Sequence, residues 1–127
     1  MSRGLLGTSV LIAQEGQRLD ISALPNEVAV SVVTYGELRA GVLAATDVSV
    51  RSRRLSTLQT VADLHPLPVD TAVADQWARL RLLLAVAGRR VNVNDTWIAA
   101  TALVHGAEVW TQDADFTAFG AVDIVRV

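Results

Sequence analysis

Apolar residues gather in short runs at residues 4–6, 28–32, 64–69, 107–111 and 122–127. Each has the length of a strand buried on both faces. Between the runs the spacing becomes helical. The clearest helix opens at Asp70 as N-cap, places Val73, Trp77, Leu80, Leu84 and Ala87 on one stripe and stops at Gly88. Further helices are predicted over 34–45, over 50–64 with Leu55, Leu58 and Ala62, and over 94–105 before Gly106. Strands alternating with helices imply parallel βα units, hence a three-layer α/β/α fold around a central parallel sheet of four or five strands. Open sheets of that kind collect ligands in the crevice beyond the carboxyl ends of their strands.

Length and composition narrow the class. The chain has 127 residues with neither repeat nor Pro/Gly/Ser-rich linker, and its 51% hydrophobic content is ample for one core, so a single domain over residues 1–127 is expected. No apolar run approaches the roughly 20 residues that cross a bilayer, and the expectation is a soluble cytoplasmic protein. The absence of cysteine excludes disulfides and thiolate metal sites. A net charge of −2 lacks the basic footprint of a duplex-DNA binder. All 11 basic residues are arginine, so the lysine chemistry of a Walker P-loop or a flavodoxin-like phospho-acceptor receiver is excluded.

Against this background several acids stand out. Helical spacing aligns Glu37 with Val33, Ala40 and Ala44, and a carboxylate on an apolar stripe needs a partner: a nearby arginine, a metal or a substrate. Asp95 suits a helix cap, or, if Asn94 caps, a first-turn position in line with Ile98, Ala99 and Ala102. Asp113 and Asp115 follow the apolar run ending in Trp110 and Thr111, which puts them in the expected ligand crevice; the ordinary alternative makes Asp113 the cap of a short turn and leaves Asp115 solvated. Gathering such groups needs a cation, because two unit charges ~4 Å apart repel by about 4 kcal/mol at an effective dielectric near 20. All-oxygen ligands favour Mg²⁺ or Mn²⁺, and phosphodiester hydrolysis is the natural reaction.

Four segments in series, Leu5-Leu6-Gly7-Thr8-Ser9-Val10-Leu11-Ile12, Thr34-Tyr35-Gly36-Glu37-Leu38, Asp95-Thr96-Trp97-Ile98-Ala99-Ala100-Thr101-Ala102 and Thr111-Gln112-Asp113-Ala114-Asp115-Phe116, resemble a PIN domain of the VapC type. The resemblance implies a Mg²⁺- or Mn²⁺-dependent endoribonuclease, the toxin of a type II toxin–antitoxin pair, homodimeric and inhibited by a small cognate antitoxin. It further implies Glu37, Asp95 and Asp113 as catalytic metal-site acids, Asp115 as an auxiliary, and Thr8, Ser9 and Thr111 as supports. Where that family has a metal-binding aspartate on the first strand, this chain has Gly7. Loss of a first-shell acid should cost at least the ~10–100-fold typical of a second-shell partner. The expectation is an active lineage represented by a weakened or inactive chain, and the alternative is a non-catalytic module that sequesters antitoxin. Arg51, Arg53, Arg54, Arg89 and Arg90 are candidate phosphate contacts, against an ordinary reading as solvated charges. An apolar groove for a partner is expected beside the helix over 50–64, where core packing explains the pattern equally well.

Overall fold

A computed structural model describes residues 3–16 and 24–127. The elements run β1 (Arg3–Leu6), α1 (Thr8–Glu15), β2 (Glu27–Ala29), α2 (Val32–Ala44), α3 (Val48–Asp63), α4 (Thr71–Val86), α5 (Val93–His105), β3 (Glu108–Thr111), a 3₁₀ turn (Ala114–Ala118) and β4 (Ile124–Arg126). The four strands are all parallel, in the order β2-β1-β3-β4. Strand alternation divides the interior in two. Leu5, Ala29 and Val109 pack with Val73, Leu80, Leu84 and Ile98 of α4 and α5. Leu6, Val30 and Trp110 pack instead with Val10, Leu38, Val42, Leu58 and Val61 of α1, α2 and α3. The result is the expected three-layer α/β/α sandwich.

Two differences from the sequence reading have physical causes. The run at 64–69 is not a strand of the sheet: only Leu67 pairs, bridging Ser31, with Leu67 N–H donating to Val30 O at 2.8 Å and Val32 N–H to Leu67 O at 2.9 Å. Pro66 and Pro68 on either side supply no N–H, so the ladder cannot extend. The second strand ends at Ala29 rather than at 32, because the Ser31 side chain accepts Val33 N–H at 3.0 Å and caps α2 early. α1 was not among the predicted helices; at eight residues, starting on Gly7 with no side-chain cap, it carries little start signal.

The topology fixes where ligands go. From β1 the chain crosses to β2 on one side of the sheet, whereas from β3 it turns to β4 on the other. The carboxyl ends of β1 and β3 therefore flank the point at which strand order reverses, where an open α/β sheet leaves a crevice. Gly7, Thr8 and Ser9 follow β1 directly, and Thr111 and Asp113 end and follow β3.

Candidate functional site

A pocket of about 260 Å³ lies in that crevice, lined by Thr8, Ser9, Ile12, Glu37, Asn92, Asp95, Thr111, Asp113 and Phe116. Six of the residues singled out in sequence thus meet in one place. Glu37 arrives from the second turn of α2, half-buried, and its Oε1 accepts the Thr8 hydroxyl at 2.7 Å. No arginine pairs with it among the described residues. The stripe on which spacing placed Glu37 is not the buried one: Ala40 and Ala44 are exposed, and α2 buries Thr34, Leu38 and Val42 instead.

Asp95 enters from the first turn of α5. Its cap is neither Asp95 nor Asn94 but Asn92, whose Oδ1 accepts Asn94 N–H at 2.8 Å and Asp95 N–H at 3.4 Å. The expected packing face of Ile98, Ala99 and Ala102 is fully buried. Asp113 serves two ends: it lines the pocket and also caps the 3₁₀ turn, accepting Asp115 N–H at 2.9 Å. Asp115 is exposed and outside the pocket lining.

The floor is a short hydroxyl relay between the two strand ends. Ser9 Oγ accepts Gln112 N–H at 3.0 Å, Thr111 Oγ1 accepts Asp113 N–H at 2.9 Å, and the two hydroxyls lie 3.2 Å apart. Replacing Ser9 by alanine leaves Gln112 N–H without that partner and should cost about 1–2 kcal/mol of unfolding free energy, measured by urea denaturation. A change within ~0.3 kcal/mol would mean the relay does not hold the 111–113 segment.

The electrostatics bind the acids together. Asp95 is pushed up from 3.8 to about 6, first by burial and then by the charges of Asp113, Glu37 and Asp115. Like charges are therefore concentrated here without compensation, which is the situation a divalent cation relieves. Among the described residues no three acids or imidazoles converge closely enough to hold a metal between them. The donors nevertheless suit Mg²⁺, a hard ion that keeps several waters and takes only one or two carboxylates from protein.

Position 7 is the gap. Gly7 is the N-cap of α1 with φ −71° and ψ 160°, an extended conformation open to any L-residue. A Cβ there would sit 3.6 Å from Thr111 Oγ1, a pocket hydroxyl, and 3.2 Å from Trp110 O. Sequence reasoning missed Asn92, Ile12 and Phe116 in the lining. Asn92 carried a usable signal, standing before Val93 as a cap residue; Ile12 and Phe116, being apolar, carried none. Of the candidate phosphate contacts, Arg53 pairs with Glu15 at 3.4 Å and Arg54 donates to Gly41 O at 2.6 Å, both beside a larger pocket of about 500 Å³ that also includes Ile12, Leu38 and Glu37. Arg51 is exposed on α3.

A family model described as "PIN domain" matches residues 5–122. Ribonuclease VapC5 of Mycobacterium tuberculosis is 52% identical over 128 residues, covering 98% of this chain and 95% of that protein. Ribonuclease VapC4 of the same organism is 45% identical over 126 residues, covering 98% and 97%. A crystal structure of VapBC-5 from Mycobacterium tuberculosis, a member of the VapBC family of toxin-antitoxin systems, matches with TM-score 0.90 at 51% identity, and both chains are covered completely. VapBC2 from Rickettsia felis matches with TM-score 0.84 at 20% identity over 98% of each chain, a likeness of fold alone.

Proposed function

This chain belongs to the PIN-domain family, and from that premise we propose that it is a toxin of a type II toxin–antitoxin pair. Its activity is the endonucleolytic hydrolysis of RNA with Mg²⁺ or Mn²⁺, weakened by Gly7. The observation that carries the reading is the uncompensated acid cluster at the strand-order reversal, with Asp95 raised to about 6 by burial and by its acidic neighbours. Glu37, Asp95 and Asp113 are the acids that would serve the ion, one or two of them as direct ligands and the rest through its waters, with Asp115 adding charge from outside; Thr8 orients Glu37, and Ser9 and Thr111 fix the segment that carries Asp113. When bound, the ion supplies the positive charge that polarises a phosphodiester and stabilises its leaving oxygen. A single domain, a homodimer, a small cognate antitoxin and action in the cytoplasm complete the proposal; no described helix is long and apolar enough to cross a membrane.

The test is a Mn²⁺ titration of the chain followed by thermal unfolding, alongside a cleavage assay on structured RNAs. Metal must displace the proton from Asp95. With that group near 6 in the folded protein, the apparent Mn²⁺ affinity should fall about tenfold from pH 7 to pH 5. Identical titrations at both pH values, or no metal-dependent shift in Tm, would count against the site. A second reading, a non-catalytic module that sequesters antitoxin, is favoured by one observation, the lack among the described residues of three acids converging closely enough to hold a metal. It predicts antitoxin binding with neither Mn²⁺ response nor cleavage.

A further inference from the structure

The acidic pocket poses a problem for a polyanionic substrate, since Glu37, Asp95, Asp113 and Asp115 repel phosphates and the chain as a whole is net negative. Compensating charge has to be local. It lies on the other side of the wall formed by residues 91–96. Asn92 and Asp95 of that wall line the acidic pocket, whereas Val91 and Thr96 line a second pocket of about 540 Å³. Three arginines border this second pocket: Arg81, Arg89 and Arg90.

Their presentation is built into the fold. α4 ends with Gly88 at φ +67°, Gly88 N–H donates to Ala85 O at 3.1 Å and Arg89 N–H to Leu84 O at 2.9 Å, the two bonds of a Schellman cap. That cap sets where the Arg89–Arg90 pair leaves the helix. Arg81 sits one helical stretch earlier, its guanidinium carbon 5.3 Å from the centre of the Trp77 ring, which is itself stacked on Trp97 at 4.6 Å. Among the described residues no carboxylate pairs with any of the three, in contrast to Arg53 on Glu15 and Arg3 on Glu27. Three unpaired guanidiniums around one basin, sharing a wall with the acidic pocket, are the donors suited to backbone phosphates of a single strand, because a guanidinium engages phosphate through paired N–H donors.

Resting on the nuclease reading above, we propose that Arg81, Arg89 and Arg90 hold the backbone phosphates of the RNA strand next to the scissile one. They are substrate-positioning residues; Arg53 and Arg54, engaged within the protein, are secondary. The strand then enters over the junction of α4 and α5 and crosses Asn92 into the acidic pocket.

The experiment uses the full chain in EDTA, so that binding is read without cleavage, with a fluorescently labelled single-stranded RNA and NaCl varied from 50 to 200 mM. Each phosphate contact contributes about 0.7 to the slope of log affinity against log salt for a single strand. Arg81→Ala/Arg89→Ala/Arg90→Ala should therefore flatten the slope by about 2, so that the unmodified chain loses roughly 20-fold more affinity than the variant across this range. Arg90→Ala alone should flatten it by about 0.7, and Arg39→Ala, at an exposed position of α2 outside both pockets, should leave it unchanged. An unchanged slope in both the triple and the single variant, with RNA still bound, overturns the subsite and leaves the nuclease reading intact. No RNA binding by any form, together with no cleavage by Gly7→Asp, overturns both. Unaltered RNA binding in a triple variant that has lost affinity for polyglutamate, or that no longer self-associates in sedimentation, assigns the basin to a protein partner and also overturns the proposal.

Discussion

Substituting Gly7→Asp should raise both Mn²⁺ affinity and the rate of RNA cleavage by at least about 10–100-fold, the scale on which a single metal-supporting residue acts. The backbone is ready for it. Gly7 holds an extended N-cap conformation, φ −71° and ψ 160°, at which aspartate is among the preferred residues and glycine only a few tenths of a kcal/mol worse. The new Cβ meets one tight neighbour, Trp110 O at 3.2 Å, and otherwise faces the Thr111 hydroxyl at 3.6 Å. A shift of a few tenths of an ångström at the end of β3 accommodates it, so the variant should fold; without metal the added charge beside Glu37, Asp95 and Asp113 should lower its stability, and Mn²⁺ should restore it. The added carboxylate then joins a pocket that already gathers Glu37, Asp95 and Asp113 around the ends of β1 and β3. Isothermal titration with Mn²⁺ and a gel assay for RNA cleavage read the two effects separately. A well-folded Gly7→Asp protein that neither binds Mn²⁺ more tightly nor cuts any RNA would sink the account of position 7.

Much of this was legible in the sequence because its signals are local. Asp70 as cap and Gly88 as stop bracket α4 within one residue of its observed limits, and the 3.6-residue stripe finds Val73, Leu80 and Leu84 in the core. The apolar runs give β1 and β3 nearly to the residue. What failed depended on partners far away in the chain. Leu64 to Val69 has the composition of a strand, yet whether it pairs depends on the free N–H groups of its neighbours and on Ser31, more than thirty residues earlier. The Ser9–Thr111 bond spans 102 residues, and no spacing rule foretells it; only the resemblance brought both hydroxyls to the site. Glu37 is the instructive case. Its placement on an apolar stripe is mistaken in detail, since Ala40 and Ala44 face solvent, and the partner the structure shows is the Thr8 hydroxyl, not the arginine that composition offered. Arg89 and Arg90 are the reverse: as sequence they read as solvated charges at a helix end, and the basin they share with Arg81 exists only once α4 and α5 are packed.

Substituting Asp95→Asn should move activity and stability in opposite directions, which a merely structural residue would not do. In the Gly7→Asp background it removes one of the acids proposed to hold the ion, and cleavage should fall by at least about 100-fold. The folded chain without metal should nevertheless gain. Asp95 is raised to about 6 in the folded state from an ordinary 3.8, so the folded protein holds a proton more tightly than the unfolded chain. Protonation therefore favours folding: the contribution is fully present below about pH 4 and is lost as pH rises through about 6. The nominal size would be about 3 kcal/mol, but Asp95 is only half-buried, and solvent screening reduces this to about 1 kcal/mol. Asparagine carries no such proton linkage; it forfeits a favourable charge in the first turn of α5, worth about 0.3 kcal/mol at an exposed site. Urea denaturation of both proteins at pH 4.5 and pH 7 isolates the effect, because the dipole loss and the proton linkage depend differently on pH. The variant should be the more stable of the two at pH 7, with that advantage gone or reversed at pH 4.5. If the difference between them is the same at both pH values, the carboxylate is not strained by its acidic neighbours, and the electrostatic case for a cation at this site fails with it.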